Sequence, residues 1–207
     1  TFHHPNEFLV LVGDSSKARK GSSFDHVARL LAGADPSFPT RITTGLSTGE
    51  GVVWAVRDPT EQDRGAADKR LLVIEPEFVA VLKQTMRDIS TLSPTLRSAW
   101  DGRPLQLLTR TAPARATDAH ISVIGHITAT ELRRHTTTVE LANGFMNRFI
   151  LAACRRVRLL PEGGKPDPLA RTGLPRCLQA AIQHARTAGQ LRFDPTAREL
   201  WWHTYPQ

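Results

Sequence analysis

EFLVLVGDSSKARKGSS, residues 7–23, decides how the rest of this chain is read. Phe8 to Val12 is an almost purely apolar run with β-branched and aromatic members, stopped by Gly13, and it predicts a strand buried on both faces. Such strands belong to parallel sheets. From Gly13 to Ser23 the chain offers a glycine-opened loop, the cations Lys17, Arg19 and Lys20, a second glycine at Gly21 and the hydroxyls of Ser22 and Ser23. An amphipathic helix follows, with Phe24, Val27, Leu30 and Leu31 at helical spacing until Gly33 to Pro39 breaks the pattern. Backbone N–H groups of such a loop, together with the positive end of the helix behind it, favour a bound anion.

The order G-x(6)-K-G-S-S departs from the common phosphate loop, G-x-x-x-x-G-K-[ST], in which the lysine meets the β- and γ-phosphates and the hydroxyl takes a place on Mg²⁺. Here the lysine sits one residue late. Either Arg19 or Lys20 can play its part, and either Ser22 or Ser23 can meet the metal.

With 207 residues the chain suits one α/β domain with a small appendage. No apolar run approaches the roughly 20 residues of a membrane span, and no signal peptide opens the chain. It begins at Thr1 and ends just after a predicted helix, so a fragment of something longer is expected. Cys154 and Cys177 cannot build a disulfide framework or a four-ligand zinc site by themselves, which suits a reducing cytoplasm. A net charge of +7, with Arg far outnumbering Lys, points to a polyanionic partner such as DNA.

Arg41 to Thr44 reads as a short strand. Ser47 and Glu50 then have capping-box spacing, which makes Glu50 a helix cap rather than a catalytic acid, and the helix carries Val52, Val53, Trp54 and Val56. Arg57 to Lys69 is a charged surface loop. Leu71 to Ile74 is a second buried strand, ending in Glu75-Pro76-Glu77. Ligands of open α/β sheets gather beyond the carboxyl ends of the strands, so both acids should emerge on the same edge as the Gly13 loop. An apolar strand ending in acid suits a site where one carboxylate holds Mg²⁺ through water and the other orients or deprotonates an attacking water. Which of Glu75 and Glu77 does which stays open.

Phe78, Leu82, Met86 and Ile89 form one face of the next helix, and Ser93-Pro94 reads as a cap with a first-turn proline. Leu105 to Thr109 reads as a short strand amid Arg103, Arg110 and Arg115 and the threonines Thr109, Thr111 and Thr117, a set able to track a phosphodiester backbone or simply face solvent. His120 to Thr128 is a third buried strand with His126 near its end, and Thr128 with Glu131 forms another capping box. Phe149 to Cys154 is a fourth apolar run, preceded by Arg148 and followed by the basic cluster Arg155, Arg156 and Arg158. Pro161 to Gly173 reads as a linker. Leu178, Ile182 and Ala185 predict a helix, Leu191 to Phe193 a short strand, and Asp194-Pro195 the start of a final helix.

Taken in order, FLVLVGDSSKARKGSS, TGLSTGEGVVWAVRDP, RLLVIEPEF, HISVIGHIT and ANGFMNRF resemble the RecA-like P-loop ATPases of bacterial plasmids, phages and mobile elements, close to replicative helicase and primase–helicase proteins. The likeness covers Phe8 to Gly164. It implies a three-layer α/β fold with a mostly parallel sheet, a core over residues 1–164, and an incomplete helical appendage over 165–207. It further implies ATP with Mg²⁺, hydrolysis, action on DNA in replication, and assembly into a ring. In such ATPases an extra strand separates the nucleotide-binding strand from the acid-bearing one, and a polar residue on it senses the γ-phosphate. His126 takes that place. Arg148 would act as an arginine finger in its own or a neighbouring subunit. Gly13, Lys17, Arg19, Lys20 and Gly21 would cradle the phosphates, Ser22, Ser23 and Glu75 the metal, and Glu75 and Glu77 would share the catalysis. The displaced lysine keeps a second reading open, a P-loop-fold DNA-binding or assembly module without turnover.

Overall fold

The computed structural model describes residues 4–14, 20–108, 113–136, 143–155, 157 and 168–205. Its apolar runs form a five-stranded sheet: β1 (Phe8–Gly13), β2 (Ile42–Thr43), β3 (Arg70–Glu75), β6 (His120–Thr128) and β7 (Phe149–Cys154). All four strand pairings are parallel, in the order β2-β3-β6-β1-β7. A separate antiparallel hairpin pairs β4 (Leu105–Leu107) with β5 (Ala114–Ala116). The helices are α1 (Lys20–Ala34), α2 (Gly49–Ala55), α3 (Phe78–Thr85), α4 (Leu92–Trp100), α5 (Ala129–His135), α6 (Pro168–Ala188) and α7 (Pro195–Thr204).

Connection handedness distributes the helices. The β1-to-β2 connection runs one way across the sheet, and every later connection runs the other way. Parallel crossovers are right-handed, so α1 covers one face while α2 to α5 cover the opposite one. The larger core lies under that second face. It joins Phe8, Val10, Leu71, Val73, Ile121, Val123 and Ile127 of the sheet to Val52, Val53, Val56, Phe78, Val81, Leu82, Leu92 and Leu96. Phe149 sits at its centre, with ring centroids 5.2 Å from Phe8, 5.1 Å from Phe78 and 5.1 Å from Phe145. On the first face, α1 packs against α6.

Several local expectations shift. The first cap of α2 is Thr48, whose side chain accepts from the Gly51 N–H, and not Ser47. Glu50 instead accepts from the Thr91 hydroxyl at 2.8 Å. Helix α4 opens one residue before Ser93, after Thr91, and leaves the Ser93 hydroxyl buried without a partner. The strand foreseen at Leu105 is half of a hairpin whose second strand was not foreseen. Helix α6 begins inside the stretch read as a linker and runs through Pro175, and residues 191–193 are not a strand. The Thr128–Glu131 capping box is present in both directions. Among the described residues, no helix is long and apolar enough to cross a membrane.

Candidate functional site

Adjacent strands whose connections leave on opposite faces open a crevice between their carboxyl ends. In this sheet the pair is β1, which leads to α1, and β6, which leads to α5. Gly13 closes β1 there, in register with Thr128 of β6 on one side and Cys154 of β7 on the other. Seven residues later the backbone enters α1 at Lys20, so Lys20, Gly21, Ser22 and Ser23 form the helix's first turn, where N–H groups lack intrahelical partners. Lys17 and Arg19 lie outside the described residues.

Glu75 ends β3 at the same edge and is 6% exposed. Its Oε1 accepts from the backbone N–H of Gly45 at 2.6 Å and of Leu46 at 2.7 Å. The carboxylate therefore ties the loop between β2 and α2 to the sheet edge. Two more bonds brace that loop: Gln84 Nε2 donates to the Ser47 carbonyl at 2.8 Å, and the Gly49 N–H donates to Thr91 Oγ1 at 3.1 Å. The Glu50 carboxyl is held below its ordinary range, first by its own backbone N–H and then by the Thr91 hydroxyl. Glu77, two residues beyond Glu75, is exposed and makes no cap hydrogen bond to α3. Of the two acids, it is the one exposed to solvent.

His126 is buried, 3% exposed, and lies in register with Leu11 and Ala152. Strand alternation puts it on the α1 face with Gly13 and Thr128, one pleat beneath the edge, whereas Glu75 stands on the other face in register with Gly125. The crevice thus has His126 below it on the α1 side and the acids on the other.

Arg148 does not join this group. It precedes β7, whose first residue Phe149 pairs with Phe8, and so sits at the amino edge of the sheet. Five strand steps at about 3.3 Å each separate the two edges by roughly 17 Å. There Arg148 donates to Asp101 at 2.9 Å and to the Gly144 carbonyl at 2.8 Å, with its guanidinium 5.4 Å from the Trp100 ring centroid. Its expected place on a γ-phosphate of its own chain is corrected to that of a structural ion pair. Arg110, Thr109 and Thr111 lie outside the described residues.

Among the described residues no three His, Cys, Asp or Glu side chains cluster to hold a metal. The edge offers two exposed acids, Asp14 directly after Gly13 and Glu77, beside the first turn of α1. That donor set fits Mg²⁺, which keeps several waters and leans on one or two carboxylates plus substrate phosphates. A cleft of about 130 Å³ beside Thr43, Thr44, Ser47 and Leu71 is too small for a nucleotide.

The sequence reading did not foresee Thr128, the Gly45 and Leu46 amides, or Cys154 at this edge, because strand register is what brings them there. No family model matches the chain, and no curated protein matches it either.

Proposed function

We propose that the chain binds ATP with Mg²⁺ over the β1–β6 crevice and hydrolyses it to do work on nucleic acid. One observation carries the reading. The sheet order inserts β6 between β1 and β3, and so gathers the Gly13 loop, the first turn of α1, His126 and the Glu75–Glu77 pair at one edge. Lys20 and the first-turn amides would take the terminal phosphates. Ser22 or Ser23 and, through water, Glu77 would hold Mg²⁺, which supplies charge neutralisation at the phosphoryl oxygens. Glu77, exposed beyond the strand, is the acid suited to orient and deprotonate water. Glu75 is assigned to holding the 45–48 loop as a fixed wall of the crevice. His126 would report on the terminal phosphate through the edge above it.

A second reading, a binding module without turnover, is favoured by the late lysine and by the engagement of Glu75 Oε1 with two amides. Steady-state ATP hydrolysis with Mg²⁺, with and without single-stranded DNA, separates the two. Hydrolysis that rises with DNA, and falls at least a hundredfold in Lys20→Ala and in Glu77→Gln, supports the motor; loss of one catalytic group typically costs about 10²–10⁴ in rate. No hydrolysis beside intact DNA binding establishes the module.

A further inference from the structure

A second surface lies away from the crevice, around Trp54. Helix α2 contains two glycines, and packing explains only one. A Cβ on Gly49 would come 2.3 Å from Thr95 Oγ1 and 2.6 Å from the Thr91 carbonyl, so α2 needs glycine there to approach α4. A Cβ on Gly51 would meet only Thr48 Oγ1, at an ordinary 3.5 Å. Glycine is a poor helix residue, and Gly51 is not needed for fit.

What Gly51 does is leave room. It lies three residues before Trp54, on the same helix face, where a tryptophan leaning toward the helix N-terminus would meet its side chain. Trp54 is 52% exposed. One side of its ring carries the Arg57 guanidinium, 3.8 Å from the centroid. That guanidinium is locked: Arg57 pairs with Asp63 through Nε and Nη2, and its Nη1 donates to the Trp54 carbonyl at 2.9 Å. The indole is thus stacked on one side by Arg57 and half exposed, and within 4 Å of a Cβ at Gly51, three residues before it, stands only Thr48 Oγ1.

Charge around the platform favours a polyanion. Asp58 is engaged by Lys69 at 2.7 Å and by Thr117, and Asp63 by Arg57. The Arg115 carbonyl accepts from the Asp58 N–H at 2.7 Å, and the Ala66 N–H donates to the Arg57 carbonyl at 2.9 Å, which brings the backbone of the exposed Arg115, and of Ala66 two residues after the exposed Arg64, next to Arg57 and Asp58. Glu61 is the exposed carboxylate of this loop. An exposed aromatic face stacked on an arginine, with further arginines in the adjoining loop and hairpin, is what unpaired bases and their phosphates recognise.

We propose that Trp54, stacked on Arg57 with Arg64 and Arg115 in the adjoining loop and hairpin, is a base-stacking platform for single-stranded nucleic acid. This deepens the nucleic-acid part of the proposed function and rests on it, but it uses none of the crevice residues. The test is fluorescence anisotropy of a labelled oligothymidylate with the full chain at low salt and no nucleotide, so that failure of ATP binding cannot register. Trp54→Ala should weaken binding about tenfold and Trp54→Phe much less, since stacking tolerates a change of ring. Gly51→Gln should weaken binding as Trp54→Ala does while the melting temperature stays the same or rises, because the variant improves the helix and fills the slot. Arg115→Gln should lower the salt slope by about 0.7. Unchanged binding in Trp54→Ala or in Gly51→Gln overturns the proposal. An oligothymidylate that fails to bind the wild-type chain also overturns it and leaves the surface to a protein partner.

Discussion

Gly125 marks the point where one missing side chain lets the core close. A Cβ there would lie 2.5 Å from Cδ2, 2.7 Å from Cγ and 3.0 Å from Cβ of Phe78, the first residue of α3. Phe78 cannot retreat, because it is fully buried and packs edge-on against Phe149. Gly125→Ala is therefore expected to lower stability by about 1–3 kcal/mol in urea unfolding, the usual cost of overpacking. Because Glu75 is in register with Gly125, the same variant should also disturb the 45–48 loop. In the sequence this glycine is one letter inside HISVIGHIT, and nothing local distinguishes it. Glu75 teaches the same lesson: an acid at a strand end is legible, but its partners lie 30 and 29 residues upstream, and only the folded sheet brings them together. Arg148 is the opposite case. A residue that precedes a parallel strand must lie at the amino edge, so strand order alone was enough to separate it from the Gly13 loop.

Composition misled most about the elements at the α1 face. Proline and glycine between 161 and 173 suggest a linker, yet α6 spans Pro168–Ala188 and carries Pro175 inside it. Tertiary contact explains part of this, since a Cβ on Gly33 of α1 would meet Pro175 Cβ at 3.4 Å, so the two helices lie close along that line. Asp35, directly after α1, closes the arrangement. Its Oδ1 accepts from the Ser37 hydroxyl at 2.6 Å and from the Ser37 N–H at 3.2 Å, and its Oδ2 from Arg70 at 2.8 Å and Arg186 of α6 at 3.3 Å. The Ser37 hydroxyl first, and Arg70 next, pull its carboxyl down from 3.8 to about 2. A depressed carboxyl pKa contributes stability that is fully present above 3.8 and is lost as the pH falls through about 2. Asp35→Asn should accordingly melt below the wild type at neutral pH, and the gap should narrow as the pH is lowered from 4 toward 2. A gap that stays constant across that window would mean that the ionised carboxylate is not what holds Ser37 and Arg70 in place. Sequence alone could not supply this contact, because Asp35 and Arg186 are 151 residues apart.

At the scale of the whole molecule, the apolar runs and their punctuation made the parallel sheet legible, while the crevice depends on the order β2-β3-β6-β1-β7, which no single stretch encodes. That order also places a chemical reporter. Gly13 pairs with Cys154, so the thiol stands on the strand next to Gly13, on the same face and about 4.8 Å away along the hydrogen-bonding direction. Cys154 is partly buried, with Sγ donating to the Ala152 carbonyl at 3.5 Å, and Cys177, the only other cysteine in the sequence, is exposed on α6. A nucleotide seated over Gly13 and the first turn of α1 would cover the approach to Cys154 and leave Cys177 untouched. Alkylation followed by mass spectrometry should then show Cys154 modified several-fold more slowly with MgATP, while Cys177 keeps its rate as an internal reference. Lys20→Ala should abolish the protection without changing the rates measured in the absence of nucleotide. If MgATP at saturating concentration slows neither thiol, the carboxyl edge of β1 is not where a nucleotide sits. Because the readout needs occupancy and no turnover, protection without hydrolysis would identify a nucleotide-binding module, and protection with hydrolysis a motor built on the same edge.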